Sequence, residues 1–390
     1  MTNDHGGYPT VSTPPPGYPV GPSPGPPGYP PAAYPALGYP TPPSYSGPFG
    51  YGPALGHGAP PGYGPVPGVA KPGIIPLRPL TLSDIFNGAV SYIRANPKAT
   101  LGLTAMVVVV MQTITLVATL GPLEAYGRIS THRHNELTLG VVGAWTASMT
   151  ASVLVTWLGG MLLSGMLTVI VGRAVFGSSI TIRETWAKIR GRLLALLGLA
   201  VLEAAAVATL VGLVAIVVAI VAAVGHVALA LLVGFPVVLA MIALLVYLYT
   251  VVLFAPVLIV LERLPVIVAI TRSFALVRNS FWRVLGIRLL TFLVATVVAD
   301  AVAIPFAIAE NLLLAGTTST GILLLGTTIT SIGSAIGQII TAPFNAGVIV
   351  LLYTDRRMRA EAFDLVLQTG AAGGPYAVAS TDNLWLTRPW

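Results

Sequence analysis

Apolar residues run in long stretches between Ala99 and Tyr353: near 99 to 120, within 138 to 172, then 193 to 223, 227 to 260, 289 to 314 and 321 to 353. Each is long enough to cross about 30 Å of hydrocarbon as a helix, so the pattern predicts six spans. The nearly uncharged region from Leu193 to Leu261 could hold three short helices. Three would put the basic segments before and after it on opposite sides of the membrane, so two long spans turning near Gly225 and His226 are expected.

Shorter segments with helical periodicity precede some of these runs. Leu82, Ile85, Phe86, Ala89 and Ile93 share one face, and Ser83, Asn87, Ser91 and Arg94 the other. Farther on, Ile270, Phe274, Val277 and Phe281 form a stripe, with Arg272, Asn279 and Arg283 away from it. Ile93-Arg94, Ile189-Arg190 and Val277-Arg278 are each followed, at one spacing, by Leu101-Gly102-Leu103, Leu197-Gly198-Leu199 and Leu285-Gly286-Ile287. Thr81-x-x-Asp84 and Thr181-x-x-Glu184 both carry the capping-box signature that starts a helix. The predicted fold is therefore an all-α integral membrane protein of six transmembrane helices, arranged as three repeats of an amphipathic helix plus a helical hairpin. Two spans per unit give every repeat the same orientation, unlike inverted repeats. The short helices are expected along the inner membrane surface.

Charge sets the orientation. Of 390 residues 55% are hydrophobic and only 8% charged, about a third of the usual charged share of a soluble domain. Eighteen of the 20 Lys and Arg residues fall on one side of the six spans, and only Arg128 and Arg133 lie in an outer loop. Both termini are thus expected in the cytoplasm. The net charge of +7 flanks apolar runs without a stacking or groove-reading motif, which argues for anionic lipid headgroups and against nucleic acid. Arg94, Arg190, Arg278 and Arg283 are the candidate lipid contacts at that face. The chain has no Cys, which excludes disulfides and thiolate chemistry.

Residues 1–79 hold 24 of the 33 prolines and almost no aliphatic side chains, so a disordered, Pro/Gly/Tyr-rich cytoplasmic tail is expected there. Pro-Pro-x-Tyr occurs at Pro15 to Tyr18, Pro26 to Tyr29, Pro42 to Tyr45 and Pro60 to Tyr63, a pattern that can dock in aromatic grooves of a protein partner. No charged segment followed by an apolar core precedes Leu101, so no cleavable signal peptide is expected. The membrane domain is expected over 80–368 and a second disordered tail over 369–390.

Three motifs occur in order: Pro79 to Ala89 (PLTLSDIFNGA), Leu261-Glu262-Arg263 through Arg272 to Gly286, and Leu351 to Leu365 (LLYTDRRMRAEAFDL). Together, over about residues 76–368, they resemble actinobacterial membrane proteins identified as the membrane domain of glycerophosphoryl diester phosphodiesterase. In enzymes of that kind a separate soluble barrel carries the chemistry. The resemblance implies a bacterial inner-membrane protein, and with no room for the barrel the enzyme activity is not carried over.

Few residues offer chemistry. Glu203 in the third span and Asp300 in the fifth form the candidate intramembrane polar site, because an acid near the bilayer centre costs about 2.5–3.5 kcal/mol to insert. Arg288, Gln112, Gln338 and Asn345 could partner them, and Glu310 lies nearer the outer interface. His132, His134 and Glu136 alternate as metal ligands could, but Arg133 sits between them and a solvated loop is expected. Gly333-x-x-x-Gly337 is a helix-contact pattern expected to pack within the chain. No catalytic residue, metal or cofactor is expected. The leading expectation is a non-catalytic membrane domain with a tethering tail; the alternative is a transporter or lipid-handling protein that uses the polar groups between spans.

Overall fold

The computed structural model describes residues 73–76, 78–131, 139–225, 227–315, 319–372 and 382–386. The Pro-Pro-x-Tyr sites, together with His132, His134, Glu136 and His226, lie outside these. Among the described residues there is no strand, and six helices are long and apolar enough to cross a membrane. The chain is a multi-pass membrane protein built as three repeats.

Repeat 1 is α1 (Leu82–Ala95) followed by the hairpin α2 (Pro97–Thr131) and α3 (Leu139–Val175). Repeat 2 is α4 (Ile182–Ile189), a 3₁₀ turn at Arg190–Arg192, then α5 (Leu193–Val224) and α6 (Val227–Val252). Repeat 3 is α8 (Val266–Arg278), α9 (Phe281–Leu314) and α10 (Thr320–Glu361), with α11 (Phe363–Ala372) after it. Both capping boxes form: the Asp84 amide donates to Thr81 Oγ1 at 3.2 Å while the Thr81 amide donates to Asp84, and Glu184 and Thr181 repeat the arrangement. α8 starts instead after Pro265, with no side-chain cap.

The repeats interlock at their matched glycines. A Cβ on Gly102 would lie 3.8 Å from Ile182, the first residue of α4, and one on Gly198 would lie 3.9 Å from Val266, the first residue of α8. Each of the first two hairpins thus meets the start of the next short helix. Gly286 breaks the series and faces open space.

The fourth span departs from the unbroken run read in the sequence. α6 stops at Val252, a short turn α7 (Ala255–Val257) follows, and a π-helical turn Leu258–Glu262 ends at Arg263, a non-glycine residue in the left-handed region at φ 59°. Pro256 explains the break, since it has no N–H to donate to Val252 and its ring crowds that carbonyl. Ser273 of α8 repairs it: its hydroxyl donates to the Val251 carbonyl at 2.5 Å and accepts from the Phe254 amide at 3.2 Å.

That repair also shifts the buried face of α8. Ala269, Ser273, Leu276 and Val277 are buried, while Phe274, expected in the apolar stripe, is 40% exposed. In α1 the buried residues are Ile85, Gly88, Ala89 and Tyr92, and Leu82 is exposed. The short helices therefore do more than lie on a surface. α1 packs on α10, where Gly347 leaves room for the Tyr92 ring and Gly88 for Leu351, and the Tyr92 hydroxyl donates to the Pro343 carbonyl. Burial raises the Tyr92 phenol well above its ordinary pKa.

α10 is the hub, packed on α9, α2, α1 and α3. Gly333 and Gly337 do pack within the chain, under the Phe306 ring and against the Ala299 backbone of α9. The 42 residues of α10 span about 63 Å, so one end reaches well past the hydrocarbon. Within the segment expected as a tail over 369–390, Asp382–Trp385 forms a 3₁₀ turn, with Trp385 buried against Phe176, Tyr353 and Phe363. Indole burial outweighs the low apolar content around it.

Candidate functional site

The end of the bundle that carries α1, α4 and α8 concentrates the charge. Three carboxylates there each sit between cations, and each closes a different seam between repeats. Asp355 of α10 joins repeats 1 and 3: it accepts from the Leu80 amide at 2.8 Å and from Arg359 Nε at 2.9 Å, and Arg283 of α9 lies 3.3 Å away. Arg283 and Arg359 also donate to the Leu80 carbonyl.

Glu262, at the end of the π-helical turn, joins repeats 2 and 3. Arg272 of α8 approaches it at 2.7 Å, Arg357 of α10 at 3.6 Å, and the Tyr353 hydroxyl donates to it. The Arg272 contact is an ion pair off the hydrogen-bond line, since neither Arg272 Nε nor Glu262 Oε2 has a hydrogen-bond partner. Glu361 binds both arginines, and Arg357 lies 4.1 Å from the centre of the Phe363 ring while donating to the Trp385 carbonyl. Buried charges of this kind persist only when paired and hydrogen-bonded.

Asp382 joins repeats 1 and 2. It accepts from Arg173 of α3 at 3.1 Å and from Lys188 of α4. Burial alone would raise its carboxyl pKa, but the hydrogen bonds from Arg173 and Lys188 hold it below the ordinary range. Beside it opens a cavity of about 450 Å³, lined on its polar side by Arg173, Lys188, Arg190, Arg192, Arg263 and Asp382, with Trp385 and Leu261 among its apolar walls.

The residues singled out in the sequence distribute differently. Glu203 is half-buried and Asp300 is exposed on α9; neither has a hydrogen bond or ion pair among the described residues, and neither lines this cavity. Arg288 turns away from Asp300, donating to Asn345 at 3.1 Å and to the Tyr249 hydroxyl at 2.8 Å. Glu310, given least weight, is the acid with an interhelical partner, the Thr330 hydroxyl of α10. Arg94, Arg190 and Arg278 are exposed and unpaired among the described residues, whereas Arg283, 38% exposed, meets Asp355 and donates to the Leu80 carbonyl. Among the described residues no group of three or more His, Asp or Glu side chains could hold a metal ion.

Residues 80–356 match the model of a family described as Domain of unknown function (DUF7847). The chain belongs to that family. No curated protein and no solved structure matches it. The DUF7847 core contains Glu262 and Asp355, which close two seams from within, but Asp382, which closes the third, lies beyond its end.

In the sequence Arg173, Lys188 and Arg357 count only toward the one-sided charge and Glu262 and Asp355 only toward the resemblance, and none of them, nor Asp382, stands out as a site residue. One signal was available: in a chain with 8% charged residues, an acid beside a basic residue at the end of an apolar run, as in Glu262-Arg263 and Asp355-Arg356-Arg357, must find a partner.

Proposed function

We propose that the chain is a non-catalytic membrane module of a bacterial inner membrane, with both termini in the cytoplasm, whose basic end lies against anionic headgroups and whose N-terminal tail recruits or tethers a protein partner. The observation that carries this reading is the contrast between the two kinds of cation at that end. Arginines that meet the buried carboxylates are consumed in closing seams, while Arg94, Arg190 and Arg278 stand exposed without an ion partner among the described residues. Exposed cations beside a membrane surface gain about 1 kcal/mol each from anionic lipid. The resemblance to phosphodiesterase membrane domains fits a module that works beside a catalytic partner. Transport is supported less well, because Glu203 and Asp300 neither pair nor border the cavity.

The test is thermal unfolding of the full chain in nanodiscs of phosphatidylcholine with and without phosphatidylglycerol. Phosphatidylglycerol is expected to raise the melting temperature of the native chain, and less so for the Arg94→Gln, Arg278→Gln double variant. Equal shifts in both proteins would sink the headgroup reading.

A further inference from the structure

The three seams differ in where their anion comes from. At the Asp355 and Glu262 seams a carboxylate of the six-helix core meets the cations directly. At the seam between repeats 1 and 2 the core supplies only positive charge: Arg173 from α3, Lys188 from α4, Arg190 and Arg192 from the 3₁₀ turn, and Arg263 from the end of the π-helical turn. Asp382 satisfies Arg173 and Lys188 and leaves Arg190, Arg192 and Arg263 with no ion pair among the described residues. Five cations around one borrowed carboxylate is an excess that repels itself unless a further anion enters.

We infer that this cavity is a binding site for a phosphate group, with the Asp382 carboxylate as its internal competitor. A phosphate fits better than a second carboxylate, because its oxygens point in tetrahedral directions and can bond cations arriving from three chain segments at once, and guanidinium groups match it bidentately. The volume of about 450 Å³ lies within the range of small-ligand pockets. Two backbone irregularities build its wall. The π-helical turn carries Val260 and Leu261 to the lining, and the left-handed Arg263 sets a cation where a glycine would be the unstrained choice. Strain kept at such a point is what a ligand site accounts for. The phosphate can be a phospholipid headgroup or a free phosphate compound, since both present the same oxygens. The inference rests on the preceding reading only for the side of the membrane the cavity faces.

Full-length protein in neutral detergent, unfolded thermally while titrated with sodium phosphate, separates the outcomes, with sodium chloride at matched ionic strength as reference. A second arm uses nanodiscs of phosphatidylcholine with and without phosphatidylglycerol. Saturable stabilisation by inorganic phosphate identifies a free-phosphate site; stabilisation by phosphatidylglycerol alone, lost on changing Arg192 and Arg263, identifies a headgroup site. In either case Arg192→Gln with Arg263→Gln should weaken the midpoint about tenfold or more. Asp382→Asn should tighten it, an effect opposite in sign to the loss a purely structural ion pair would produce. The proposal is overturned if chloride matches phosphate and phosphatidylglycerol has no effect, if the Arg192 and Arg263 variant binds as the native chain does, or if Asp382→Asn weakens binding.

Discussion

α5 and α10 are opposite kinds of membrane helix. α5 belongs to the most apolar of the six spans, and none of its most apolar window is buried against protein; α10 is the least apolar, and 44% of its window is buried. In water the order would be reversed. In lipid, Leu, Ile and Val gain nothing by leaving hydrocarbon for protein, so long apolar side chains such as Leu213, Ile216 and Ile220 stay outside. Close packing goes to the helix with small residues at its contacts, and α10 has them at Gly333, Gly337 and Gly347. The comparison teaches that hydropathy reports which helix faces lipid, while small residues and charges at helix ends report which helix holds the bundle together.

The hub end of that contrast breaks most severely at its carboxylates. Asp355→Ala would strand Arg283, Arg359 and the Leu80 amide, and Glu262→Ala would strand Arg272, Arg357 and Tyr353. Each is expected to destabilise by about 3–5 kcal/mol, as for other buried pairs robbed of one partner. Membrane abundance and thermal unfolding in detergent measure it, and near-native stability of either variant would show that the seams are held by packing alone.

A matched pair of glycine substitutions sharpens the contrast with a smaller effect. A Cβ on Gly347 of α10 would lie 2.5 Å from the Tyr92 ring and 3.1 Å from Ala89, whereas one on Gly212 of α5 meets nothing within 4 Å. Gly347→Ala should cost about 1–3 kcal/mol by overpacking. Gly212→Ala should be neutral or stabilising by up to about 1 kcal/mol, because alanine loses less backbone entropy in a helix. Similar melting temperatures for the two variants would mean that α10 packs no more tightly than α5.

Smallest of all should be Glu203→Gln and Asp300→Asn. Neither carboxylate has a partner among the described residues, and the amides keep hydrogen-bonding capacity without the charge, so changes within about 0.5 kcal/mol are expected. A folded Asp300→Asn protein that lost a measurable cellular phenotype would revive the transport reading.

Much of the architecture was legible along the chain. Six apolar runs, two capping boxes and three equally spaced Arg-to-Gly motifs gave the spans and the repeats, because hydrophobic length and helix starts are local properties. The candidate site was far less legible. Glu203 and Asp300 stood out by their cost of insertion, yet the acids that hold the fold lie at helix ends, where the same sequence criterion assigns little cost.

That this is a multi-pass membrane protein with six helices long and apolar enough to cross could be read along the chain, since it follows from how single segments partition between water and hydrocarbon. Packing of the helices sets which carboxylate meets which arginine, has Ser273 of another helix mend the break in α6, and brings Asp382 to the seam between the first two repeats. Those pairings join residues separated by up to 209 positions, and no local pattern encodes a partner that arrives only when the helices pack.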